Sequence, residues 1–179
     1  MGKKVVVIAT SLRPNSNSDR LAREFERGAA DAGHDVTYIS LKGKKIAFCT
    51  GCMACAAAGE CAIKDDAVEI ERAVVNADVV AWATPVYYWQ MSGAMKTLMD
   101  RLNPMFPKAC AFRDVYALTA AQENEPYIWE NAASGVKAWA GNFKQARFAG
   151  GVFCGGVDAP GEIEGNPKLA EAYEAGLKC

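Results

Sequence analysis

Residues 4–25 read KVVVIATSLRPNSNSDRLAREF. Lys4 to Ala9 is a β-branched apolar run of strand length, without the polar alternation of a half-exposed strand. Continuous burial of that kind fits a central strand of a parallel sheet. A polar loop follows from Thr10 to Ser18, after which Leu21, Phe25, Ala29 and Ala32 recur at helical spacing and stop at Gly33. Asp35 to Ser40 then reads as a second strand carrying Val36 and Tyr38. These forty residues make one βαβ unit.

The same alternation continues along the chain. Asp66 with Glu69 has the spacing of a capping box and opens a helix with Ile70, Ala73 and Val74 facing inward. Ala77 to Ala83 is a third buried strand, expected to end at Thr84-Pro85. Ala94, Leu98 and Leu102 mark a helix, Asp114 to Ala121 a fourth strand, residues 129–139 a helix, and Ala146 to Phe153 a fifth strand. A terminal helix is expected over Asn166 to Leu177. Strands alternating with helices imply a parallel sheet covered on both faces. With five strands, the α/β architecture predicted is the flavodoxin-like doubly wound sheet with helices on both faces.

The 179 residues, 51% apolar and 23% charged, suit one domain over 1–179 with a cysteine-rich insert at about 45–64. A chain of this length buries about 70% of its unfolded surface, enough for a core without staples. Lys and Arg number 20 and Asp and Glu 21, so the formal charge is −1. That balance supplies no basic field for nucleic acid or an anionic membrane, and neither is an expected partner. Val5 to Ala9 is too short for a membrane span or a signal-peptide core, and Val6 stands where a myristoylation motif needs Ser or Thr. A cytoplasmic location is expected.

Ligands of open α/β sheets sit beyond the carboxyl ends of the strands. The loop after strand one brings hydroxyls at Thr10, Ser11, Ser16 and Ser18, the amide of Asn17 and the guanidinium of Arg13 to the start of a helix. Hydroxyl donors beside a helix N-terminus can cradle a phosphate. There is no G-x-G-x-x-G and no Gly-Lys-Ser/Thr, so the loop suits a single phosphate monoester better than a dinucleotide or a P-loop ligand. The alternative is that Ser18 is an N-cap in solvated surface. After strand three, Pro85, Val86, Tyr87, Tyr88 and Trp89 offer a shaped turn and flat aromatic surface. Core aromatics at an ordinary turn are the competing account.

Seven cysteines are present, and Cys49, Cys52, Cys55 and Cys61 lie in CTGCMACAAAGEC with C-x2-C-x2-C-x5-C spacing. Such clustering in a reducing compartment points to metal or redox chemistry. Compact runs of this kind hold iron–sulfur clusters, whereas structural zinc usually takes two separated knuckles. Free or reversibly paired thiols remain a third reading. Cys110, Cys154 and Cys179 lack partners nearby, and His34 reads as a surface turn residue.

KVVVIATSLRPNSNSDRLA, CTGCMACAAAGECAIKDD and ADVVAWATPVYYWQMSGAMKTLMDR together resemble the NADPH-dependent FMN reductase and iron–sulfur flavoprotein family. The likeness runs in order through roughly the first hundred residues, with a weaker echo over residues 156–176. It implies a flavodoxin-like fold, noncovalent FMN, and a homodimer or higher homo-oligomer. The family's phosphate loop, G-S-P-R-x-x-S-N-T, falls on Thr10, Ser11, Leu12, Arg13, Ser16, Asn17 and Ser18, with Thr10 and Leu12 departing from it. Its isoalloxazine segment falls on Pro85, Val86, Tyr87 and Tyr88, and Ala120 at the end of strand four joins the cofactor set. The four clustered cysteines match the spacing that carries a 4Fe–4S cluster in the iron–sulfur flavoproteins.

The function implied is an FMN-dependent oxidoreductase passing electrons from NAD(P)H, or a ferredoxin-like donor, to a small-molecule or protein acceptor. No catalytic acid or base is singled out, because the cofactor carries the chemistry. The alternatives are a non-catalytic flavodoxin-like carrier, an iron–sulfur flavoprotein whose cluster relays single electrons, and a zinc-stabilised interaction protein.

Overall fold

A computed structural model describes residues 2–179. In chain order the elements are β1 (Lys4–Ala9), α1 (Asn17–Asp31), β2 (Asp35–Ser40), α2 (Ala54–Ala58), α3 (Ala67–Val75), β3 (Val79–Tyr87), β4 (Gln90–Met91), α4 (Gly93–Arg101), β5 (Asp114–Ala120), α5 (Pro126–Gly141), β6 (Arg147–Cys154) and α6 (Pro167–Leu177). The sheet order is β2-β1-β3-β5-β6, all parallel, with β4 hooked antiparallel onto the end of β3. Counting only parallel strands, this is the flavodoxin-like order 2-1-3-4-5. The sixth strand, β4, is an addition of two residues to the expected five.

Every residue of β1 from Val5 to Ala9 is buried, as its unbroken apolar run predicts. Alternate side chains feed opposite layers, because successive Cβ atoms on a strand point to opposite faces. Val6 and Ile8 join Val80, Trp82, Leu98, Phe112 and Val136 under α3, α4 and α5. Val5, Val7 and Ala9 join Leu21, Phe25, Ala81, Leu118 and Ala172 under α1 and α6. On that second face α1 and α6 meet with almost no side-chain spacing. A Cβ built on Gly28 would lie 2.0 Å from the Tyr173 carbonyl oxygen, and one on Gly176 would lie 2.1 Å from that of Phe25. Neither backbone can yield without pushing a helix off the sheet. Gly28→Ala should therefore cost about 2 kcal/mol as an overpacking change, lowering the melting temperature by roughly 4–8 °C. An unchanged melting curve would show that the two helices can separate freely.

Two local expectations are corrected. β3 does not end at Thr84-Pro85 but runs on to Tyr87. β1 stops pairing at Ala9 opposite Ala83, so beyond that point β3 is an edge on one side and its proline is tolerated there. On the other side Pro85 stays in register with Ala120. The capping box at α3 does not form either. Asp66 has helical φ and ψ and caps nothing, since its Oδ2 accepts the Lys45 N–H at 2.5 Å. Asp65 Oδ1 takes the Ala67 N–H at 3.1 Å instead.

Candidate functional site

At the carboxyl ends of β1, β3, β5 and β6 lies an open cleft of about 320 Å³, within the range of small-ligand sites. All ten residues expected to hold the cofactor line it: Ser11, Arg13, Ser16, Asn17, Ser18, Pro85, Val86, Tyr87, Tyr88 and Ala120. Ala121, Gln122, Val157, Asp158 and Pro160 complete the wall and were not foreseen. They come from the loops after β5 and β6, whose residues carry no distinctive chemistry. The signals for them were the topological rule that loops at the carboxyl edge share a ligand and, for Val157, Asp158 and Pro160, the weak family echo over residues 156–176.

The floor is the start of α1. Its first helical hydrogen bond is donated by the Arg20 N–H to the Ser16 carbonyl, at 3.1 Å. The Ser16 side chain does not cap the N–H groups ahead of it. Ser16 Oγ lies 3.0 Å from Ser18 Oγ instead. The helix thus presents uncapped amides and its positive dipole end to a pocket ringed by buried hydroxyls. Ser11, Ser16, Asn17 and Ser18 are all buried. Ser11 Oγ accepts the Arg13 N–H at 3.3 Å and the Ser16 and Ser18 hydroxyls pair with each other, so the groups in want of an acceptor are the uncapped amides, to which a phosphate at this position would supply one.

Two loop residues do other work. Thr10 points back into the fold, donating to the Ala83 carbonyl at 2.8 Å and lying 3.2 Å from Ser92 Oγ. It ties β1 to the start of α4 and does not line the cleft. Asn17 lines the cleft, yet its side chain grips the loop after β6. Its Nδ2 donates to the Ala159 carbonyl at 3.0 Å, and its Oδ1 accepts the Gly161 and Ile163 N–H groups at 3.1 and 3.3 Å. Arg13 adds a bond from Nη1 to the Asp158 carbonyl at 3.0 Å. The loop after β1 and the opposite wall are therefore one unit.

Tyr88 and Trp89 form the two-residue turn between β3 and β4, both in left-handed backbone geometry with φ of 48° and 61°. Such turns ordinarily take Asn-Gly. A bulky residue there costs about 1 kcal/mol or more, and strain of this kind collects at binding sites. Trp89 Nε1 donates to Glu123 Oε2 at 3.4 Å, which braces the turn. Tyr88 is 93% exposed, so its ring is held up at the cleft rim without packing to justify it. Tyr88→Asn should relieve the backbone and raise the melting temperature of flavin-free protein by about 2–4 °C. A fall would mean that the ring makes contacts worth more than the strain.

A second pocket gathers all four clustered cysteines with Thr50, Ile63, Arg101 and Pro104. Cys49 and Cys52 are exposed, while Cys55 and Cys61 are half-buried. Gly51, Met53 and Gly59 take positive φ, turning the chain between the thiols. The backbone N–H of Ala54 and then the Thr50 hydroxyl pull the Cys52 thiol below its ordinary pKa. Among the described residues no three Cys, His, Asp or Glu side chains converge tightly enough to hold a metal ion. The donor set itself suits a thiolate-ligated cluster: four cysteines line one pocket, with Asp100 the one acidic residue in its wall. Cys110, Cys154 and Cys179 are buried in the fold away from it. The thiol pocket and the cleft share no residue.

The profile of the NADPH-dependent FMN reductase family matches residues 3–125. The chain belongs to that family. Among curated relatives, an iron–sulfur flavoprotein of Archaeoglobus fulgidus is 38% identical over 101 residues, covering 56% of this chain and 46% of its own. One from Methanocaldococcus jannaschii is 38% identical over 57% of this chain and 53% of its own. The chain thus spans about half the length of these curated relatives. An iron–sulfur flavoprotein of Clostridioides difficile matches 97% of this chain and 74% of its own length at 26% identity. Among solved structures, an NAD(P)H:quinone oxidoreductase from Methanothermobacter marburgensis superposes with a TM-score of 0.76 at 17% identity, covering 99% of this chain and 97% of that one. A Bacillus anthracis azoreductase gives 0.75 at 19% identity, with 99% and 100% covered. At these identities the likeness is one of fold. In this FMN reductase family member the profile reaches from β1 past β5, taking in the phosphate-type loop, the cysteine segment and the Pro85–Tyr88 turn. No helix among the described residues is long and apolar enough to cross a membrane.

Proposed function

We propose that the chain is an FMN-dependent oxidoreductase that takes electrons from NAD(P)H and passes them to a small-molecule or protein acceptor. One observation carries this: a single cleft joins an uncapped helix N-terminus ringed with buried hydroxyls to an aromatic turn held up under strain. FMN supplies the electron-transfer chemistry when bound. The residues of the chain bind and orient it. The amides at the start of α1, with the hydroxyls of Ser11, Ser16 and Ser18, hold the phosphate, and Pro85 to Tyr88 with Ala120 bound the ring. Lacking a dinucleotide fingerprint, the chain holds NAD(P)H only transiently over the open face of the cleft, and the acceptor follows there.

Purified protein should carry one FMN per chain and oxidise NAD(P)H in the steady state when an electron acceptor is present. Absence of FMN overturns the proposal. FMN without turnover by either nicotinamide leaves the flavodoxin-like carrier.

A second reading rests on the thiol pocket. Cys49, Cys52, Cys55 and Cys61 would hold a 4Fe–4S cluster, which supplies one-electron transfer when bound. The donor set on one pocket and the likeness to iron–sulfur flavoproteins support it. Metal analysis separates it from zinc and from free thiols.

Phe48, Met53 and Tyr88 are all strongly exposed, an apolar excess that a second copy of the chain would cover. The expected species in sedimentation at micromolar concentration is a homodimer or larger homo-oligomer. A monomer alone would refute this. On sequence, the loops carrying Trp89, Met91 and the apolar 53–58 run are expected to leave this surface; Met91 is instead half-buried against α5, where its Cε would sit 2.0 Å from a Cβ built on Gly135.

A further inference from the structure

From Lys42 to Asp66 no residue is buried. The segment that carries the four thiols therefore has no core of its own, and apolar burial cannot offset the entropy of ordering it. Backbone and Asp66 contacts at Lys45 and the packing of Ile46 on the core tie down its outer ends, and nearer the thiols it is held by one side chain at the end of α4. The Arg101 side chain is fully buried. Its Nη1 donates to the Ala47 carbonyl at 2.9 Å and to Asp65 Oδ2 at 2.6 Å. Its Nη2 donates to the Ile63 carbonyl at 3.0 Å and to Asp65 Oδ1 at 2.9 Å. Asp65 Oδ2 also accepts the Ala47 N–H at 2.8 Å.

Ala47 lies two residues before Cys49, and Ile63 lies two residues after Cys61. One guanidinium thus closes both ends of the cysteine segment, and a carboxylate locks it in place. The contact is planar and forked, four bonds to three acceptor groups, which a lysine ammonium cannot reproduce. Arg101 Nε is buried with no partner among the described residues. The fully buried guanidinium itself lines the thiol pocket.

We propose that Arg101, braced by Asp65, is the positioning residue of the thiol pocket, holding both ends of the segment so that Cys49, Cys52, Cys55 and Cys61 stay on one pocket where a cluster can draw them together. This rests on the reading that the four thiols hold a cluster. It adds that their arrangement comes from α4, an element outside the cysteine run, and not from the run alone.

The test compares wild type, Arg101→Lys and Asp65→Asn, each reconstituted anaerobically with iron and sulfide and bound to FMN. Iron per chain, the rate of iron loss to a chelator, the low-temperature electron paramagnetic resonance of the reduced protein, and FMN affinity are measured. Residues that orient metal ligands are typically worth about 10–100-fold in metal affinity. Chelator-driven loss should be about tenfold faster or more in both variants, with an altered resonance, while FMN affinity stays at the wild-type value. Iron retention and resonance unchanged in the variants overturn the role of Arg101 and leave the cluster reading intact. Wild type that takes up no iron overturns both, and leaves the FMN proposal standing. A loss of FMN affinity in parallel with iron would mark Arg101 as a general structural residue, also against the proposal. If Arg101→Lys does not fold, Asp65→Asn carries the same comparison, since it keeps the guanidinium and the side-chain volume.

Discussion

Cys52→Ala protein prepared anaerobically should hold less than one iron per chain, where the proposed cluster would give wild type about four, and should stay yellow. Cys52 is the second of the four thiols and the one whose pKa is lowered, by the Ala54 amide first and the Thr50 hydroxyl second. That favours the thiolate, the form that binds metal. Removing one ligand of four leaves a coordination position open to water, and a cluster held by three is prone to loss. The side chain is exposed, so truncation opens no cavity in the core. FMN binding survives because the cleft and the thiol pocket share no residue. Four irons retained in the variant would place the ligands elsewhere. Wild type with zinc in place of iron would replace the cluster by a structural site.

The paired substitution Asn17→Ala with Ser18→Ala should weaken FMN tenfold or more. A hydrogen bond to a charged group contributes about 1.5–3 kcal/mol, and about 1.4 kcal/mol is already a factor of ten. The two residues act by different routes. Ser18 is buried, its hydroxyl 3.0 Å from that of Ser16, at the mouth of the uncapped helix. Asn17 holds the loop after β6 through three bonds, so its loss frees the wall formed by Val157, Asp158 and Pro160. Riboflavin, which has no phosphate, separates the routes. Ser18→Ala should hardly change its binding, while Asn17→Ala should weaken it along with FMN. Wild-type FMN affinity in the double variant would move the phosphate site to another part of the chain.

The parallel sheet was legible because burial on both faces leaves a direct trace. KVVVIA and ADVVAWA have no polar alternation, and between the strands the helical spacing is plain. Nine of the ten cleft residues were legible from two loops, where polar and aromatic groups gathered at the ends of two strands are an unusual composition, and Ala120 came with the family resemblance. Gln122, Val157 and Pro160 are ordinary in sequence, and they matter only because β5 ends beside β3 and β6 beside β5. Thr10 was misassigned because a hydroxyl in a loop has no preferred direction until Ala83 and Ser92 are beside it. The turn at Tyr88-Trp89 carried no turn signal, since neither residue favours positive φ.

By itself, then, the sequence determined the order and type of the elements apart from α2 and β4, the doubly wound class, and which two loops hold polar and aromatic groups. Those properties follow from local spacing and from how much of each residue is apolar. Tertiary structure decided what depends on long-range partners. It bound Asn17 to a loop 142 residues later in the chain. It passed the capping of α3 from Asp66 to Asp65. And it placed Arg101, which reads as one more charge at the end of a helix, at the base of the cysteine segment, because a buried guanidinium settles only where enough acceptors converge to replace the water it has lost.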